Sequence, residues 1–151
     1  MPVPTVGTAA PDFTLDSTGG TPVTLSQFRG QGRVLLAFFP LAFTSVCTAE
    51  MCAFTDDYAS FVAAGVTVLP ISVDSVPTLK EFKARHSIAV DLLSDFKREA
   101  SRAYGTLLEE LFFSTRAYVL IDTNGIVRWV HVEDTPGTRR TNTEILAAIA
   151  G

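Results

Sequence analysis

The sequence predicts an α/β fold: a central mixed β-sheet flanked by helices, organised as a single domain over residues 1–151. Three observations predict it. The apolar run at 34–39 (VLLAFF) has the character of a strand covered on both faces, and so of an internal strand. Beyond it, Cys47, Met51, Phe54, Tyr58 and Phe61 recur at spacings of four, three, four and three, which predicts one amphipathic helix ending at Gly65. Strand-like and helix-like stretches then continue to alternate down the chain.

Taken in order, 13–15 and 23–25 alternate around Ser17-Thr18-Gly19-Gly20 and predict an N-terminal β-hairpin. Ser26 is placed to cap a brief helical turn ending at Gly30. After the central strand and the cysteine-bearing helix, 66–73 reads as a second buried strand. Pro77, Leu79, Phe82 and His86 mark a short helix, and 90–93 a short strand. Ala100, Ala103, Tyr104 and Leu107 predict another helix. Segments 116–121 and 126–132 flank Asp122-Thr123-Asn124-Gly125, where Asn-Gly is a strong hairpin signal. Thr141 and Glu144 have capping-box spacing ahead of Ile145, Leu146 and Ile149, so the chain is expected to close with a helix.

Composition narrows the function classes. With 47% apolar residues and 11 Phe, the 151 residues are ample for one buried core. The longest apolar runs fall short of the roughly 18 residues a membrane span needs, and the N-terminus lacks a signal peptide's pattern. The expected location is the cytoplasm, with no membrane partner. A net charge of -4 and no basic cluster beyond Arg139 and Arg140 argue against nucleic acid. Two cysteines are too few for a disulfide scaffold, so each needs its own explanation.

Cys47 stands in the first turn of a predicted helix, with Thr44 three residues before it in the N-cap position, where its side-chain oxygen is expected to accept a backbone N–H. Free amides and the positive helix end favour a thiolate there, which makes Cys47 a candidate nucleophile. A buried structural cysteine is the competing reading, because Cys47 shares the apolar face of Met51 and Phe54.

The stretch PLAFTSVC, with Pro40 and Thr44 seven and three residues before Cys47, resembles the active-site signature of the peroxiredoxins, the thiol peroxidases. GTAAPDFTL, VLLAFFPLAFT, VLPISVD, LLSD, STRAYVLID and NGIVRWVHV are similar to successive landmarks of that family, so the resemblance covers nearly the whole chain. PLAFTSVC resembles its AhpE-type branch, and CTAEMC its PrxQ or bacterioferritin-comigratory branch. The resemblance implies a thioredoxin-like fold with an N-terminal extension, and a peroxidase needing no separate cofactor or metal. It implies that Cys47 is the peroxidatic cysteine, that Thr44 bonds the peroxide, that Pro40 shields the thiolate and that Arg116 is the essential arginine. An arginine there suits a thiolate and a peroxide because its guanidinium is a fixed fork of donors. Glu50 is a supporting residue, expected to orient Arg116 by an ion pair; an acid in an early helical turn is also favourable dipole chemistry.

Peroxide reduction leaves Cys47 as a sulfenic acid, which a second thiol captures as a disulfide. Cys52 is the internal candidate, at a spacing that resembles many PrxQ-type proteins. Residues five apart in an ideal helix have Cα atoms roughly 9 Å apart, whereas a disulfide tolerates at most about 7 Å. Pairing of Cys47 with Cys52 therefore requires the helix to unwind. The alternative is a one-cysteine enzyme resolved by an external thiol. Expected partners are a peroxide and, as reductant, thioredoxin, glutaredoxin or a low-molecular-weight thiol, with the chain a monomer or homodimer. Other classes fit less well. A non-peroxidase thiol-disulfide oxidoreductase would use Cys-x2-Cys where this chain has Cys-x4-Cys, and the spacing of Cys47, Cys52, His86 and His131 matches no compact zinc pattern. A cysteine hydrolase needs a histidine base that no motif places beside Cys47.

Overall fold

The structure is a computed structural model that describes residues 2–135 and 137–150. Its strands are β1 (Thr14–Ser17), β2 (Val23–Thr24), β3 (Arg33–Phe38), β4 (Val66–Ser72), β5 (Leu93–Ser94), β6 (Leu107–Leu108), β7 (Phe113–Ser114), β8 (Ala117–Ile121) and β9 (Val127–Val132). Its helices are α1 (Ser45–Asp56), α2 (Tyr58–Ala63), α3 (Val76–His86), α4 (Glu99–Ala103) and α5 (Asn142–Ala150). Seven strands form one sheet in the order β2-β1-β5-β4-β3-β8-β9, and β6 pairs with β7 in a separate ribbon.

The sheet is mixed, as the alternation of elements requires. β3 runs parallel to β4 and antiparallel to β8, so the apolar run lies internally, with Val34 to Phe38 almost wholly buried. Because side chains alternate across a strand, Leu35, Ala37 and Phe39 enter one core with Met51, Phe54 and Phe61 of α1 and α2, Leu79 and Phe82 of α3, and Ile145 and Ile149 of α5. Leu36 and Phe38 enter the other, with Ala100, Tyr104 and Val127. The N-terminal hairpin extends the sheet through an antiparallel β1–β5 pairing.

Several elements depart from the sequence expectation. The single helix predicted to run to Gly65 is two helices, because Asp57 leaves helical geometry at φ -101° and ψ 16°. Its carboxylate accepts from Asn142 Nδ2 of α5 at 2.9 Å, a tertiary partner that competes with helix continuation. Leu107 belongs not to α4 but to β6, in a short hairpin with no clear period in sequence. Thr24 rather than Ser26 opens the helical turn at Leu25–Phe28, its N–H donating to Gln27 Oε1 at 3.0 Å. The Asp122–Gly125 turn is present: Gly125 has φ 80°, and the Asp122 carboxylate accepts from the N–H of Asn124 and Ile126 at 2.8 and 3.0 Å. The Thr141/Glu144 box is also present, with each residue's N–H donating to the other's side chain at 3.3 and 3.2 Å.

In β4, the Ile71 carbonyl accepts from Phe39 on the β3 side, while that of Ser72 accepts from Asp95 on the β5 side. Alternation then turns Pro70 toward the β5 side, although β5 pairs only with Ile71 and Ser72. Among the described residues no helix is long and apolar enough to cross a membrane.

Candidate active site

β3 ends at Phe38 and delivers the chain into a loop at Pro40, from which α1 starts. Pro40 is buried, and Ala42 N–H donates to Asp74 Oδ2 at 2.8 Å. Ser72 Oγ donates to the same oxygen at 2.7 Å, so the carboxylate that follows β4 pins the loop that follows β3. Phe43 then takes the left-handed conformation, φ 68°, and its ring packs on Phe82 with centroids 5.1 Å apart.

Thr44 occupies the N-cap position with extended backbone, as expected, but its hydroxyl does not cap the helix. It donates instead to the Leu41 carbonyl at 2.8 Å, closing the loop on itself. Thr44 remains exposed, whereas Cys47 in the first turn is 1% exposed.

Arg116 directly precedes β8, and alternation along the strand places Arg116, Tyr118 and Leu120 on the face beneath α1. Its guanidinium is 1% exposed, not a solvated surface group. Nη2 donates to Cys47 Sγ at 3.0 Å, and Nη1 donates to Glu50 Oε1 at 2.8 Å. Glu50 is equally buried, and its other oxygen accepts from the Tyr118 hydroxyl. Burial pushes the Glu50 carboxyl up from the usual range; Arg116 and Tyr118 oppose that rise. Burial alone would depress Arg116, but Glu50 and Cys47 outweigh it and hold the guanidinium above its ordinary value. Burial, with the Glu50 charge adding to it, likewise drives the Tyr118 hydroxyl up, so it stays protonated as a donor.

Cys52 is half-buried on α1, two residues after Glu50, and both cysteines are free thiols within one continuous helix. Of the residues expected from sequence, Cys47, Glu50 and Arg116 meet through direct bonds, and Pro40 and Thr44 frame the loop before them. Tyr118 and Asp74 were not anticipated. The signal for Tyr118 was the period-two spacing from Arg116; Asp74 carried none, because its partner is a backbone amide 32 residues away in sequence. His86 lies at the end of α3 beside Phe82, and His131 lies on β9 against Arg140 and Glu133. Among the described residues no group of three or more His, Cys, Asp or Glu could hold a metal ion.

A buried thiol at a helix start, met by a guanidinium above a mixed sheet, defines a cysteine-based redox enzyme of thioredoxin-like architecture. Comparison with known proteins narrows the class. The AhpC/TSA family profile matches residues 6–130. The chain is 38% identical over 149 residues to alkyl hydroperoxide reductase E of Mycobacterium tuberculosis, covering 95% of this chain and 97% of that protein. It is 40% identical over 131 residues to peroxiredoxin 2 of Thermoplasma acidophilum, covering 83% of this chain but only 65% of that longer protein. It is 37% identical over 128 residues to the chloroplastic peroxiredoxin Q of Oryza sativa subsp. japonica, covering 83% of this chain and 58% of that one. The crystal structure of a reduced 2-Cys peroxiredoxin from Plasmodium vivax superposes with a TM-score of 0.90 at 37% identity, covering 97% of this chain and 81% of that one. The chain belongs to the AhpC/TSA family and is a peroxiredoxin of AhpE/PrxQ type, an oxidoreductase with thiol-dependent peroxidase function.

Proposed function

We propose that this single-domain chain reduces hydrogen peroxide and organic hydroperoxides in the cytoplasm, as a monomer or homodimer, with Cys47 as the attacking thiol. The observation that carries the assignment is the 3.0 Å bond from Arg116 Nη2 to Cys47 Sγ, a charged donor aimed at the sulfur in a site shielded from water. The Cys47 thiolate attacks one peroxide oxygen; the S–O bond forms as the O–O bond breaks. The departing oxygen leaves with the electron pair and takes up a proton as water or alcohol. Arg116 donates to the charge passing from sulfur to oxygen, Thr44 bonds the peroxide and Pro40 closes the pocket behind it. Glu50 orients Arg116 through the 2.8 Å ion pair.

Cys52 then resolves the sulfenic acid. Its sulfur attacks the Cys47 sulfur; the S–S bond forms, the S–O bond breaks, and hydroxide leaves with the thiol proton as water. Both thiols lie on α1, so its first turns unwind for this step. A thioredoxin-like dithiol, glutaredoxin or low-molecular-weight thiol then reduces the disulfide.

The decisive experiment is mass spectrometry after one equivalent of peroxide. Loss of two hydrogens is the expected result; a persistent sulfenic acid with free Cys52 would assign resolution to an external thiol. Cys47→Ser is expected to abolish peroxide consumption while keeping the fold, and retained turnover would overturn the Cys47 assignment.

A further inference from the structure

We propose that Tyr118 is a positioning residue that latches the first turns of α1 through Glu50, and so sets how readily the helix unwinds to bring Cys52 to Cys47. The inference rests on the reading of Cys52 as resolving thiol. Its basis is the placement of Glu50 between the two cysteines. Glu50 is the one charged side chain among residues 45–52 of α1, and it is buried in a socket made by β8. Unwinding that frees Cys47 must also draw Glu50 out of that socket.

Tyr118 is built to resist this. It is fully buried on β8, an internal strand, paired with Ala37 of β3 on one side and His131 of β9 on the other. Its ring stacks with Trp129 and His131, at 6.4 Å between centroids in each case. The direction of each hydrogen bond is fixed by chemistry. Arg140 N–H can only donate and does so to the Tyr118 oxygen at 3.2 Å, so the Tyr118 proton is directed to Glu50 Oε2. The hydroxyl thus ties α1 to a rigid strand and to the segment leading into α5. The bond exists only while α1 is wound, so its loss favours the unwound state.

The two half-reactions therefore respond oppositely to Tyr118→Phe, which keeps the ring and removes the hydroxyl. Peroxide attack slows, because Glu50 aims Arg116. Disulfide formation accelerates about tenfold, the factor expected for losing about 1.4 kcal/mol from one bond to a charged group. A defect in structure alone would slow both.

The test mixes reduced wild type and Y118F with hydrogen peroxide in a stopped-flow instrument, following the single tryptophan, Trp129. Acid-quenched mass spectrometry assigns each phase by gain of oxygen or loss of two hydrogens. Hydrogen exchange of the peroxide-free proteins is measured alongside. The expected result is a slower first phase, a faster second phase and faster amide exchange in α1 with α3 unchanged. A second phase that is unchanged or slower, or unchanged exchange in α1, overturns the latch. Should wild type form no disulfide, the resolving role of Cys52 fails by itself, and exchange in α1 alone decides the latch. Glu50→Gln, which weakens the same bond while keeping Tyr118, should shift α1 exchange in the same direction by a smaller factor. If Y118F does not fold, no shift in E50Q overturns the proposal.

Discussion

Arg116 spans Cys47 and Glu50 with the two arms of one guanidinium, 3.0 Å from the sulfur and 2.8 Å from the carboxylate. The planar fork fixes both distances at once, so whatever holds Glu50 also aims the donor at sulfur. A single point charge has no such geometry.

Arg116→Ala is accordingly expected to damage both chemistry and stability. It strips the sulfur of its charged donor and leaves the Glu50 carboxylate buried without its cation, a defect of about 3–5 kcal/mol. Arg116→Lys restores the charge but serves only one of the two partners, so it should recover most of the stability and little of the rate. Urea unfolding and stopped-flow oxidation of Cys47 check the two effects separately. Equal rates for Lys and Arg would show that charge alone suffices.

The Asp74 carboxylate holds the loop that frames the thiol, through Ala42 N–H at 2.8 Å. Asp74→Ala should slow peroxide reduction by freeing that loop, although Asp74 is not placed among the reacting groups. Asp74→Asn keeps an acceptor oxygen and should restore most of the activity. Steady-state peroxide consumption for the pair is the measurement; an Asn variant as slow as Ala would point to the charge instead of the bond.

Acid stability should carry a signature from the β8–β9 turn. Burial acts to raise the Asp122 carboxyl, but the N–H groups of Ile126 and Asn124 and the Arg128 guanidinium, 2.6 Å away, hold it below the usual range. A carboxyl whose folded value is lowered contributes stability above its unfolded value of about 3.9 and loses it as pH falls through the folded value. Asp122→Asn keeps an acceptor and removes the charge. It should cost about 1 kcal/mol near neutral pH and nothing in strong acid, so wild-type and variant urea midpoints should converge as pH falls through the lowered folded value. Parallel curves at all pH values would remove Asp122 as the cause.

What the sequence made legible follows the range of the interactions involved. The internal strand, the Asn124-Gly125 hairpin and the Thr141/Glu144 box rest on neighbours a few residues apart, and each is present. Asp57 breaks the long helix through Asn142, 85 positions away, and no local periodicity records that contact. Arg116 shows the same limit at the site. By local pattern alone it would sit on the surface; its burial follows from Glu50 and Cys47 descending on it from α1. Thr44 marked the helix start correctly, while its hydroxyl donates to the Leu41 carbonyl of its own loop and accepts no N–H from the helix.

Pro70 has a consequence outside catalysis. Among the described residues, β5 covers only the last part of β4, which leaves Val66 and Val68 facing that side without a paired strand in the sheet. An open strand edge is a template on which another chain can polymerise. Proline offers no N–H, and here it stands on the open side just where the uncovered stretch meets β5. Proline at this register thereby keeps the uncovered edge of β4 a poor seed for aggregation.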